Sequence, residues 1–186
     1  MIARRIFLIA LAVASLFGCM HARWTVVRQA SPTPYDDAST FYVEPLHFEG
    51  TLVEDKSEPD YAAAQTEDLR NLWQTSKQEM SAAYVDRIVN DGSLHAKPNA
   101  EPNAFVIRPV LTRIEPGAFA GVTVKPTEVR MTLLVLSPSG TIVDEVQLRT
   151  AVPAGSTAPT IGGRLRSAST ELGAQTVAYL RSRLQG

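Results

Sequence analysis

The sequence predicts an α+β fold: a two-layer sandwich in the order β-α-β-β-β-α, with a four-stranded mixed sheet and two helices on one face. Three observations predict it. Four stretches are rich in β-branched and aromatic residues that alternate with polar ones. Two longer stretches repeat apolar residues in three- and four-residue steps. The first strand and second strand are separated by one of those helices, which calls for a parallel, right-handed crossover.

"FYVEPLHF", residues 41 to 48, opens the domain as a strand. Pro45 lacks a backbone donor, which puts the strand at an edge or bends it there. Ser57 then offers an N-cap, with Pro59 in the first turn and Asp60 three places after the cap. The helix that follows carries Leu69, Leu72, Trp73, Met80, Ala83, Tyr84 and Ile88 as one stripe. Gly92 suits the left-handed position that closes it.

Residues 104 to 114, "AFVIRPVLTRI", form the second strand. Phe105, Ile107, Pro109 and Leu111 share one face; Val106, Arg108, Val110 and Thr112 share the other. "EPGAFAGVTVKP" reads as a long turn. Residues 127 to 136 and 141 to 152 are the third and fourth strands, joined by the tight turn "SPSG" as an antiparallel hairpin. Val129, Met131, Leu133 and Val135 oppose Arg130 and Thr132, so one face is buried and the other wet. The second helix runs from about Ile161 to Leu184, with Thr160 as N-cap and Arg164 and Arg166 solvated. Arg181 and Arg183 complement its negative end.

The N-terminus is different in kind. Arg4 and Arg5 precede "IFLIALAVASLF", residues 6 to 17, which carries no charge. A spanning helix needs ~20 apolar residues, whereas the apolar region of a secretory signal needs ~7–15. Leu16, Gly18 and Cys19 resemble the lipobox of bacterial lipoprotein signals; Phe17 stands where a small residue is usual. The resemblance implies that Cys19 is acylated and becomes the mature N-terminus. An ordinary signal with a chance cysteine is the alternative. Three segments follow: residues 1–18 as signal peptide, 19–40 as lipidated N-terminus and flexible tether, and 41–186 as one domain. "RWTVV" admits a second reading, lying against the domain or at the lipid interface through Trp24. Met20 after the cysteine, by the sorting rule of enteric lipoproteins, points to the outer membrane on its periplasmic side, with the inner membrane as the alternative.

The formal net charge of −1 gives no electrostatic case for nucleic-acid binding. Without Arg4 and Arg5 the 18 basic side chains fall to 16 against 19 acidic ones, a net of −3. A single cysteine excludes an internal disulfide. His21, His47 and His95 have no metal-ligand spacing, so no metal or cofactor is expected. There is no G-x-S-x-G elbow, and the glycines of "TIGGRLRS" lack the phosphate-loop spacing and its lysine. Glu44, Glu115, Glu128 and Glu145 read as surface charge rather than a catalytic pair.

The element order resembles small envelope lipoproteins with a fold like the TolB N-terminal domain and the curli-secretion lipoprotein, and domain-of-unknown-function lipoprotein families. "FYVEPLHF", "FVIRPVLTRIEPG" and "LLVLSPSGTIVDEVQLR" carry the likeness. It implies no catalytic residues. The expected function is therefore a non-enzymatic binding or structural accessory of an envelope assembly. The membrane is its first partner, through the lipid on Cys19, and an envelope protein its second. The polar sheet face is the expected contact surface, joined by Phe119 and Val122, apolar in a region read as loop. A carrier or sensor of lipid or cell-wall fragments, using a helix–sheet pocket, is the alternative.

Overall fold

The computed structural model describes residues 24–120, 123–155 and 160–185. The fold is α+β, with a mixed sheet. Four main strands fall close to their predicted places: β2 (Thr40–Val43), β6 (Phe105–Glu115), β9 (Thr127–Leu136) and β10 (Ile142–Val152). β2 runs parallel to β6, with Val43 opposite Ile107; β9 runs antiparallel to both β6 and β10.

The sheet has eight strands, not four. Four additions are short: β3 (Leu52–Val53), β4 (Lys56–Ser57), β5 (His95–Lys97) and β1 (Trp24–Gln29). Two- and three-residue strands show no period of their own and exist only because a neighbour offers its edge. The main order is β1-β10-β9-β6-β2-β5, with β3 also on β6 and β4 on β3.

β1 overturns the tether over residues 24 to 29. Trp24 to Gln29 pair antiparallel with Leu148 to Asp144. The next stretch is held too, since Tyr35 is buried against Phe41 and Phe105. The prolines and aspartates of "SPTPYDD" read as linker chemistry; what ties them down is a single buried ring and its hydroxyl.

The expected first helix is two. Ser57 does cap a helix, but that helix is short: α1 (Glu58–Ala63). The chain then breaks, and Thr66 caps α2 (Glu67–Val89) through the amide of Leu69. The predicted stripe lies wholly in α2, and only part of it is buried. Trp73, Met80, Tyr84 and Ile88 are buried, while Leu69 and Leu72 are 50% and 62% exposed. Gly92 has a φ of +75°, as its position after the helix requires. α3 (Ile161–Leu184) has the predicted bounds and the Thr160 cap, with the Gly163 amide donating to Thr160 Oγ1 at 3.1 Å.

The core lies between α2 and α3 and one sheet face. Ile107, Leu111, Val129, Leu133, Val146, Leu165 and Leu172 are almost or wholly inaccessible. The helices meet closely where α3 has Gly173. A Cβ there would lie 3.0 Å from Arg87 Cβ and 3.1 Å from the Tyr84 carbonyl oxygen. The expected long turn after β6 is instead a two-stranded ribbon, β7 (Ala118–Ala120) with β8 (Thr123–Lys125). Gly117 makes its entry possible: φ is +70°, and a Cβ would meet backbone oxygens at 2.6 Å.

Candidate functional site

Three places concentrate chemistry among the described residues: a buried charge cluster, an open polar groove and an apolar cleft.

The buried cluster centres on Asp144. β10 alternates Asp144, Val146 and Leu148 inward, and places a carboxylate where a hydrophobe would be expected. Its oxygens accept from Tyr35 Oη at 2.6 Å, Tyr179 Oη at 2.9 Å, Arg183 Nε at 3.0 Å and the Ala30 amide at 3.0 Å. Arg183 also donates to the Ala30 carbonyl at 2.6 Å. Burial pushes the Asp144 carboxyl up, but hydrogen bonds from Arg183, Tyr35, the Ala30 amide and Tyr179 outweigh it and hold it below its usual range. Burial and the Asp144 hydrogen bond push the Tyr35 and Tyr179 hydroxyls well above theirs. Each group is used up by another, so the arrangement is a clamp. It ties the N-terminal strand and its following segment to β10 and to the last turn of α3.

A second buried charge, Arg164, corrects the expectation that it is solvated. It is fully inaccessible, and donates to Thr127 Oγ1 at 2.8 Å and to the Pro116 carbonyl at 3.3 Å. Thr127 Oγ1 itself donates to the Pro116 carbonyl at 2.6 Å. The start of α3 is thereby fastened to the turn that launches β7. Arg166 is exposed, as expected.

The open face of the sheet carries the polar groove, with a volume of about 530 Å³. Thr25, Thr112, Thr132, Gln147, Arg130 and Arg149 line it, with Trp24. The register stacks three arginines across three strands: Arg149 opposite Arg130, and Arg130 opposite Arg113. Arg113 is neutralised, donating to Glu115 at 2.6 Å and Asp55 at 2.9 Å. Arg130 has only Glu128 at 3.9 Å, beyond hydrogen-bond distance. Among the described residues, Arg149 has no acidic partner within 4.0 Å. Elsewhere on this face Arg108 grips Glu44 with two hydrogen bonds, at 2.6 and 2.9 Å, and His47 meets the same carboxylate at 2.9 Å. Those hydrogen bonds hold the Glu44 carboxyl below its usual range despite partial burial.

The apolar cleft lies where the first half of α2 meets the start of α3. Its volume is about 560 Å³, and Tyr61, Leu69, Leu72, Trp73 and Ile161 line it. Trp73 and Tyr61 stack edge to face at 5.2 Å, and Trp73 Nε1 donates to Glu58 at 2.7 Å. Ile161 is 44% exposed.

Of the sites expected from sequence, Cys19 and Val122 lie outside the described residues. Phe119 falls in β7, its backbone opposite Val124. No three His, Cys, Asp or Glu side chains among the described residues are grouped to hold a metal ion, and no described helix is long and apolar enough to cross a membrane. Asp144 escaped sequence reading although a signal existed: it has the parity of Val146 and Leu148 in an inward-facing row. The arginine row had no such signal, because register between β6 and β9 is set by the bulge near Thr112.

No protein-family model matches the chain, and no curated protein matches it. Solved structures do. The chain is similar to a Xanthomonas campestris protein assigned to the family DUF330, with a TM-score of 0.49, 14% identity, and 87% of this chain and 94% of that one covered. It is similar to PelC, solved as a dodecamer, from Paraburkholderia phytofirmans, with a TM-score of 0.45, 10% identity, and 82% and 96% covered. It is also similar to a minor lipoprotein from Acinetobacter baumannii, with a TM-score of 0.42, 9% identity, and 77% and 93% covered.

Proposed function

We propose that this chain is a lipid-anchored cell-envelope protein that acts as a binding or structural accessory of an envelope assembly, and not as an enzyme. In this reading Cys19 carries the lipid and the domain stands on the periplasmic side of the outer membrane. The observation that carries the binding role is the apolar cleft. Three of the largest exposed apolar side chains, Leu69, Leu72 and Ile161, converge on one opening. Scattered surface hydrophobes need no explanation, but apolar groups gathered around one recess favour a partner that covers them. The lining offers one aromatic anchor pair and few charges, which suits apolar side chains of a protein partner. Phe119 and Val122 are further contact candidates in the same reading.

A photocrosslinking residue placed at Leu72 in producing cells tests this. The expected result is one discrete adduct from the membrane fraction, lost when Ile161→Asp is introduced. Labelling that is diffuse, or indifferent to Ile161→Asp, defeats it.

The alternative is a carrier of a small lipid or cell-wall fragment. The cleft volume supports it, since ligand pockets run roughly 300–1,000 Å³. The space between helices and sheet is less suited, because the fully buried side chains of Met80, Tyr84, Leu133 and Leu165 occupy it. Native mass spectrometry of the chain released gently from membranes is expected to show a bound mass under this alternative; the bare mass alone eliminates it.

A further inference from the structure

We propose that the groove on the open sheet face binds the phosphate of an anionic lipid headgroup, and that this seats the sheet on the membrane to which the chain is tied. The inference rests on the reading of Cys19 as the anchor.

Four observations carry it. First, two arginines face each other across β9 and β10: among the described residues Arg149 has no acidic partner within 4.0 Å, and Arg130 has only Glu128 at 3.9 Å. Like charges directly opposite on a sheet repel. Arg113 in the same row shows the structural solution, since two acids hold it. Arg130 and Arg149 are left to an external anion. Second, the other polar groups of the groove are three threonine hydroxyls and the Gln147 amide, and no carboxylate among the described residues lines it. Guanidinium forks surrounded by neutral donors match a phosphate, which takes several hydrogen bonds at once. Third, the groove reaches Trp24 and Thr25, the first described residues of the chain, so it opens at the anchored end; the Trp24 indole itself lies on the inner face, edge-on to Tyr179 at 5.8 Å.

Fourth, chain length limits where the groove can be. Trp24 is five steps along the chain from Cys19, so the extended chain between them spans at most ~17 Å. The clamp at Asp144 then keeps β1 from peeling away, so that this limit applies to the whole face. A domain tied so closely cannot drift beyond the reach of headgroups, and its arginines attract anionic ones that lie within about a Debye length. The acidic row beyond the arginines, Glu128 and Glu115, is partly offset by Arg130 and Arg113 and lies outside the groove lining. The apolar cleft is formed by the helical layer, so it is left clear for a partner while the sheet face is on lipid.

The test is arginine-selective chemical labelling of the matured chain, purified from membranes and presented to vesicles. One set is phosphatidylcholine alone; the other contains added phosphatidylglycerol. A third arm has no vesicles and inorganic phosphate in solution. The expected result is protection of Arg130 and Arg149 with the anionic vesicles only, while exposed Arg166 on α3 labels unchanged throughout. Arg130→Gln and Arg149→Gln are each expected to weaken association with anionic vesicles by roughly fivefold, and Arg166→Gln to leave it unaltered. Equal labelling in all arms overturns the proposal. So does equal protection of Arg166, which marks indiscriminate adhesion. Protection by free phosphate matching that by vesicles overturns the membrane source. The intact mass of the same preparation reports separately whether Cys19 carries acyl chains, so a failed anchor and a failed groove are distinguishable.

Discussion

The two faces of β10 treat charge in opposite ways. On the inner face Asp144 is wholly buried, and two tyrosines, an arginine and a backbone amide saturate it. Five residues further along, on the outer face, Arg149 stands opposite another arginine with no acid among the described residues to neutralise it. A charge taken out of water has to be compensated within the protein, so the first arrangement reports on folding. A charge left in water needs no partner to be tolerated, so the second is free to serve something outside the chain. Pairing, more than the presence of charge, separates structural from functional groups in this molecule.

The comparison breaks first at Asp144. Asp144→Ala leaves the largely covered Arg183 without its counter-ion and is expected to cost about 3–5 kcal/mol, read as a lower urea midpoint. Hydrogen exchange should rise first in residues 24 to 35, which the clamp holds. A loss below 1 kcal/mol would show that the cluster is not holding the N-terminal strand. Trp73→Ala is expected to cost a similar amount, about 3–5 kcal/mol, because it removes a buried ring and its bond to Glu58.

Next in size are the two hydroxyls. Tyr35→Phe and Tyr179→Phe each remove one hydrogen bond to a carboxylate, at an expected cost of about 1.5–3 kcal/mol. The pH dependence follows from the lowered Asp144 carboxyl. Its contribution is fully present above the ordinary carboxylate value, ~3.9, and is lost as pH falls through the lower value in the folded chain. Asp144→Asn should therefore flatten the acid limb of a stability–pH curve. An unchanged acid limb would mean that other carboxylates dominate it.

The smallest effects belong to the exposed groups. Arg149→Gln is expected to change stability by no more than about 0.5 kcal/mol, toward stabilisation if anything, since it relieves a like-charge contact. Leu72→Ser should likewise fall within about 0.5 kcal/mol. A large loss from either would move that residue from the functional to the structural side of the comparison.

Much of the fold is legible in the sequence because its main elements are long. β6, β9, β10 and α3 each carry enough residues for their period to outweigh local exceptions, and their bounds agree with the prediction to within a residue or so. The α1–α2 break was harder to read. Ser57 and Thr66 are both good caps, and the chain uses both. The predicted stripe lies wholly in α2, and its first two members, Leu69 and Leu72, line the cleft instead of the core. The candidate sites were least legible, because each joins residues far apart in sequence. Tyr35, Asp144 and Arg183 come from three separate elements, as do Arg113, Arg130 and Arg149.

Local chemistry by itself determined the α+β class, the parallel β2–β6 pair, the β9–β10 hairpin, the wet outer face and the caps of α1 and α3, because alternation, helical steps and capping act over a few residues. Only the tertiary structure decided that "WTVVRQ" contributes the edge strand β1, that Arg164 is buried, and that three arginines fall in one row. Those outcomes depend on which edge is open, which backbone oxygens lie within reach and where a bulge shifts the register, and no short stretch of sequence contains that information.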